Sequence, residues 1–279
     1  MKNKVLVIII LLLVTSSVLI SKEESDFFES YLIQFKESLQ SNQIDLGFPE
    51  PPNDVYFYPV DNVEPGFASL DSTLINHWQI PDNLLQNMSD EGLIVTCLNL
   101  PYFHAKGGPQ STLYPTKDKL QYAIDNFNGL QELLSRNNIH KKLKRLYITP
   151  EFRLGELGKR KSEISYHYRR RIGYLSRLLS RKEIISKFNE DELYEILDRS
   201  SLRFWKPDES IEPGYTRLLM DRIMFSLQYK PFLNYLKQKE IDGDMVFTFS
   251  YEQKIYTTNR DYDLITDSIS KIAADRRIK

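Results

Sequence analysis

Residues 88 to 104 read MSDEGLIVTCLNLPYFH and hold the single cysteine of the sequence, Cys97, together with His104, Asp90 and Glu91. A thiol within hydrogen-bond reach of an imidazole is a nucleophile and its base. Seven residues of helix would separate these two by about 10 Å of rise, and Pro101 interrupts the helix between them. A turn is needed to fold His104 back. Cys97 is also flanked by Ile94, Val95, Leu98 and Leu100, the setting of an inert buried thiol. The stretch therefore reads better as the start of a helix, with Ser89 as N-cap and Asp90 and Glu91 in the first turn, where the helix dipole favours acids.

Other chemistry finds little footing. His77, His104, His140 and His167 share no close spacing, and H-E-x-x-H, C-x-x-C and EF-hand patterns are absent from the sequence. So are the G-x-S-x-G elbow, the Walker loop and G-x-G-x-x-G. A glycosidase pair cannot be singled out from 38 acids by spacing alone. No catalytic residue, cofactor or metal ligand is assigned.

Charge supplies the stronger signal. Residues 141 to 182 contain fourteen Lys/Arg and three acids, a net of +11, which leaves −12 for the rest of a chain whose formal charge is −1. The candidate anion- or partner-binding residues are Lys159, Arg160, Lys161, Arg169, Arg170, Arg171, Arg177 and Arg181. Apolar positions Ile164, Tyr168, Ile172, Leu175 and Leu179 predict a helix over 161–179, with Arg170, Arg177 and Arg181 on its opposite face. Three uses compete for this block. Charge runs most often pair internally, here with NEDELYEILD at 189–198. Anionic material outside the cell is the second partner class: lipid headgroups, acidic glycans or envelope polymers, with another envelope protein beside them. Nucleic acid would suit the Arg/Tyr mix of SYHYRRRIGY, but export argues against it.

Export is read from the first residues. MKNK supplies two lysines, residues 5–20 carry no charge, and SKEESD follows. That is a signal peptide or an N-terminal membrane anchor over 1–21, placing residues 22–279 across the cytoplasmic membrane, secreted, periplasmic or tethered. A lone cysteine rules out an internal disulfide, so stability must come from packing.

The elements that would position these groups are mostly helical, as eleven glycines in 279 residues suggest. An N-terminal helix is expected over 22–41 (Phe28, Leu32, Phe35 and Leu39 as its stripe), then an extended Pro/aromatic-rich connector over 42–80 with a short strand at VYFY. The body, 81–279, begins with short helices at 81–88 and from Ser89. One long helix is expected from Thr116 to Arg136 and another over 139–147, closed off before it by Asn137-Asn138. Thr149 reads as the cap of a following helix. Capping boxes are expected at Ser180/Glu183 and Asn189/Glu192. Residues 213–240 read as a helix kinked at Pro231. A small β-ribbon at 245–258 and a last helix at 262–276 complete the chain.

The segments WQIPDNLLQNMSDEGLIVTCLNLPYF and YAIDNFNGLQELLSRNN together resemble a recurring stretch of uncharacterised exported helical proteins from Bacteroides-like and Clostridium-like bacteria. The matching positions are Trp78, Ile80, Pro81, Met88, Ser89, Glu91, Leu93, Thr96, Cys97, Leu98, Phe127, Asn128, Gly129, Leu130, Glu132, Leu133 and Arg136. Asp90 stands where threonine is usual. The resemblance covers residues 78–138; it implies export and a helical fold, and no activity. The expectation is a mainly α protein, a helical bundle or stacked helix pairs, serving as a non-enzymatic interaction module of the cell envelope or medium. A secreted hydrolase whose site assembles only in three dimensions is the alternative.

Overall fold

The computed structural model describes residues 52–59, 72–101, 119–149, 171–204 and 213–238, with positions 30, 32–33, 35–37 and 265. The leader, the ribbon expected at 245–258 and, but for residue 265, the last helix lie outside the described residues. What is described is mainly helical, with no strand among the described residues. Among them, too, no helix is long and apolar enough to cross a membrane.

The first departure falls in the expected connector. Residues 72–77 form helix α1 (Ser72–His77). The VYFY stretch adds no strand; the Tyr56 N–H instead donates to Thr96 Oγ1 at 2.9 Å. Helix α2 (Asp82–Leu85) follows Pro81, and α3 (Asp90–Leu98) follows Ser89, whose side chain accepts from the Gly92 N–H. Asp90 and Glu91 occupy its first turn, and every residue from Gly92 to Leu98 is buried. A helix apolar on nearly all sides must be surrounded, and α3 packs on the helices Asn128–Ser135 and Ile139–Ile148.

The long helix expected over 116–136 is two helices, α4 (Lys119–Asn126) and α5 (Asn128–Ser135), parted by Phe127 in an extended conformation (φ −115°, ψ 118°). A side chain from elsewhere satisfies the break. Gln79 Nε2 donates to the Asn126 carbonyl at 2.8 Å, and Gln79 Oε1 accepts the Asn128 N–H at 2.9 Å. Asn128 returns the exchange on Ile80, accepting its N–H at 2.9 Å and donating to its carbonyl at 2.8 Å. The Asn126 carbonyl and the Asn128 N–H, which helix continuity would have paired, are thus paired across 47 and 49 residues instead.

Asn138, left-handed at φ 61°, ends the connection to α6 (Ile139–Ile148), a position asparagine tolerates. The Thr149 hydroxyl donates back to the Arg145 carbonyl at 2.8 Å; the helix expected after it lies outside the described residues. Residues 171–179 form α7, followed by α8 (Lys182–Ile185), α9 (Glu190–Phe204), α10 (Pro213–Ser226) and α11 (Lys230–Gln238). The Asn189/Glu192 capping box is present at the start of α9, with reciprocal bonds of 2.9 and 3.1 Å. The Ser180/Glu183 box is not: Ser180 Oγ donates to the Arg177 carbonyl at 2.7 Å, closing α7 rather than opening α8. The break expected at Pro231 comes earlier, where Gln228 takes φ 51°. Pro231 then sits in the first turn of α11, where its missing N–H removes no helical bond.

Helix α6 rests on α3 and on α9, α9 rests along α10, and α10 also meets α8 and α11. One apolar core runs through them, from Trp78, Leu93 and Phe127 through Leu143 and Tyr147 to Leu197, Leu219 and Phe232.

Candidate functional site

The cysteine that opened the chemical question is fully buried in α3. Burial pushes its thiol far up, against a weaker opposing pull from the Arg136 charge. Beside it, burial likewise raises the Tyr58 hydroxyl well above its usual range, with smaller contributions from Cys97 and Tyr56. His104 lies outside the described residues, as does His167; His77 is exposed and His140 buried. Among the described residues no three His, Cys, Asp or Glu side chains gather as a metal would need. A thiolate is the reactive form, so native Cys97 should be inert. We expect iodoacetamide to label the folded protein at pH 8 about a thousandfold or more slower than the denatured chain, because the reagent must await unfolding. Rapid labelling of the native state would reopen the nucleophile reading.

The polar groups around α3 are engaged in holding its N-terminus. Asp54 accepts from the Ser89 N–H and from Ser89 Oγ, and Ser89 Oγ in turn accepts from the Gly92 N–H at 3.0 Å. A side chain at Gly92 would collide with the Asp54 carboxylate, so this close approach requires glycine. Arg136, at the end of α5, donates to the Met88 carbonyl at 2.7 Å, to Asp90 Oδ1 at 2.9 Å, to Glu132 Oε1 at 2.9 Å and to the Leu85 carbonyl at 3.3 Å. Lys142 on α6 completes the cluster, 2.8 Å from Asp90 and 3.0 Å from Glu91. Burial works to raise the Asp90 carboxyl, but hydrogen bonds from Lys142 and Arg136 outweigh it and hold Asp90 below the usual carboxylate range.

Many of the positions that carried the sequence resemblance thus perform a structural task here. Trp78, Leu93, Cys97, Leu98, Phe127, Leu130 and Leu133 fill the core; Ser89, Thr96, Asn128 and Arg136 tie 78–98 to neighbouring segments. No family model, curated protein or solved structure matches this chain.

The basic block divides sharply. Lys159, Arg160, Lys161, Arg169 and Arg170 lie outside the described residues. Arg171 and Arg177 are 4% and 3% exposed, and all ten positions from 171 to 180 are buried. The solvent face expected opposite the Ile172/Leu175 stripe is therefore absent from 171–180, and Arg171 and Arg177 do not form an open anion-binding surface. The Arg171 guanidinium lies over the Phe35 ring, 4.4 Å from its centroid, joining the N-terminal stretch to the body. Arg181 is half-buried and sits 3.3 Å from the Glu183 carboxylate. Lys144 pairs with Glu195 at 2.7 Å and lies 3.6 Å from Glu192, both within the acidic stretch at 189–198. Lys141 and Arg145, one turn apart on α6, face solvent.

Sequence reading did not single out the polar interior beside α7. Thr216, Arg217, Asp221 and Arg222 on α10, with Asp198, Ser200 and Ser201 on α9, are all buried. Arg222 Nη1 donates to the Ser180 carbonyl at 2.6 Å, satisfying the C-terminal end of α7. The available signal was the Arg217/Asp221 pair at i, i+4 in a helix whose intervening residues, 218–220, are all apolar.

Proposed function

We propose that the chain is an exported module of stacked helix pairs that engages anionic material outside the cell, an envelope polymer or an anionic lipid surface, through the solvent-facing remainder of its basic block. One observation carries the reading. On α6, Lys142 and Lys144 are taken up by acids of α3 and α9, whereas Lys141 and Arg145 project outward between them. The net +11 of residues 141–182, set against −12 elsewhere, is the charge on which such a surface would draw. Export rests on the leader-like first 21 residues.

Retention on vesicles containing anionic lipid, and on an acidic polysaccharide, should fall as salt rises from 50 to 300 mM. Replacing Lys141 and Arg145 by glutamine should weaken it by about thirtyfold on lipid, at roughly 1 kcal/mol per basic residue near the surface. Extending the change to Lys159, Arg160, Lys161, Arg169 and Arg170 should abolish it. Retention that ignores both salt and the substitutions removes the binding reading. Fractionation leaving the full-length product in the cytosol removes export.

A further inference from the structure

His140, the second residue of α6, stands at the junction of three elements. It is 7% exposed, and its ring meets Phe188, from the turn after α8, edge to face with centroids 5.4 Å apart. Its Nδ1 is buried and has no hydrogen-bond partner. We propose that this junction is an acid-sensitive latch, in which protonation of His140 releases α6 from α8 and α9. The proposal stands apart from the anion-binding reading and does not need it.

A neutral imidazole suits this place, because one ring nitrogen then carries no proton and an apolar contact with Phe188 is favourable. A protonated ring makes both nitrogens donors, leaving a buried Nδ1–H without an acceptor. The cations facing it add to that cost. Lys141 comes from its own helix and Lys187 from the turn beyond α8; Glu192 on α9 is the facing carboxylate. Glu192 is already engaged, with Oε2 accepting the Asn189 N–H at 3.1 Å and Oε1 lying 3.6 Å from Lys144. Turning toward His140 would cost α9 its capping box or Lys144 the longer of its two contacts with acids of α9. Consistent with this, burial first and Lys187 next hold the His140 pKa below its ordinary value, with Glu192 opposing.

The direction of the pH effect follows. A histidine whose folded pKa lies below its unfolded value binds protons more tightly once released. The closed latch is fully stable above about pH 6.5, the ordinary histidine pKa, and weakens as pH falls toward the depressed value. Helix α6 also carries Lys142 to α3 and the Tyr147 hydroxyl to Ser200 on α9, at 3.0 Å. Opening there would loosen the bridge between the two halves of the core.

Amide exchange of α6 and the first turn of α9 at pH 7.5 and 5.5, corrected for intrinsic rates, tests the latch while leaving most carboxylates ionised. In the wild type the opening should become more populated on acidification, by up to about tenfold per pH unit within the window. His140→Gln should show no such rise. Lys187→Gln alters an exposed residue, preserves the fold and should shrink the rise by removing one facing cation. Equal α6 protection at both pH values in the wild type overturns the proposal. So does a rise that persists unchanged in both variants; should His140→Gln not fold, an unchanged rise in Lys187→Gln alone suffices.

Discussion

Replacing Trp78 by alanine is expected to remove about 3–5 kcal/mol of stability, the range for emptying a large aromatic site in a packed core. The indole is fully buried, lies 6.4 Å centroid to centroid from Phe127, and donates its N–H to the Pro59 carbonyl at 3.3 Å. It stands directly before Gln79 and Ile80, whose groups satisfy the break between α4 and α5. A cavity there would take support from residues 52–59, from α1 and from that break at once, and neighbours fixed by so many hydrogen bonds have little room to collapse inward. Trp78→Phe should recover much of the loss while forfeiting the bond to Pro59, worth about 1 kcal/mol. Urea midpoints of the three proteins measure both steps. A loss under about 1 kcal/mol for the alanine variant would show that the site collapses freely and that Trp78 does not organise this end of the core.

The parts of this fold legible in the sequence are those set by neighbours in the chain. Ser89 before Asp90 and Glu91, and Asn189 three residues before Glu192, announce helix starts because a cap is a contact across three or four positions. The run 93–98, apolar but for Thr96, likewise announces a central helix. What stayed hidden depends on distant partners. Phe127 lies on an unbroken apolar stripe, and nothing local says that Gln79 will enter the chain there. Ser180 with Glu183 satisfies the pattern of a capping box, yet Arg222, 42 residues away, draws Ser180 into closing α7. Arg177 looks like a surface cation on a helical wheel because the wheel shows one apolar stripe, whereas 171–180 is buried all round. For the site, the sequence shows a charge block but not which of its members are paired, buried or open. Lys141 and Lys142 are adjacent and differ only in what α3 presents to them.

Removing the Arg136 side chain should cost about 2–4 kcal/mol, because one guanidinium serves four acceptors on three segments. Its side chain is 16% exposed, and the Asp90 carboxylate it meets is 24% exposed, so both are substantially withdrawn from water. In Arg136→Ala the carbonyls of Leu85 and Met88 lose their donor, and Asp90 keeps Lys142 alone. Arg136→Lys restores the charge but not the fork, since an ammonium cannot span the same four directions, and should fall between the two. Acid separates the contributions. The folded state holds Asp90 below its usual pKa, so the unfolded chain binds that proton more readily. The stabilisation this represents is complete above about pH 4, the unfolded value, and is lost as pH falls through the folded one. Arg136 supplies part of it, so the gap between wild type and Arg136→Ala in urea midpoint should be wider at pH 7 than at pH 3. A gap of equal width at both values would assign the whole effect to the Leu85 and Met88 carbonyls, which do not titrate, and would remove Asp90 as a source of the stability Arg136 provides.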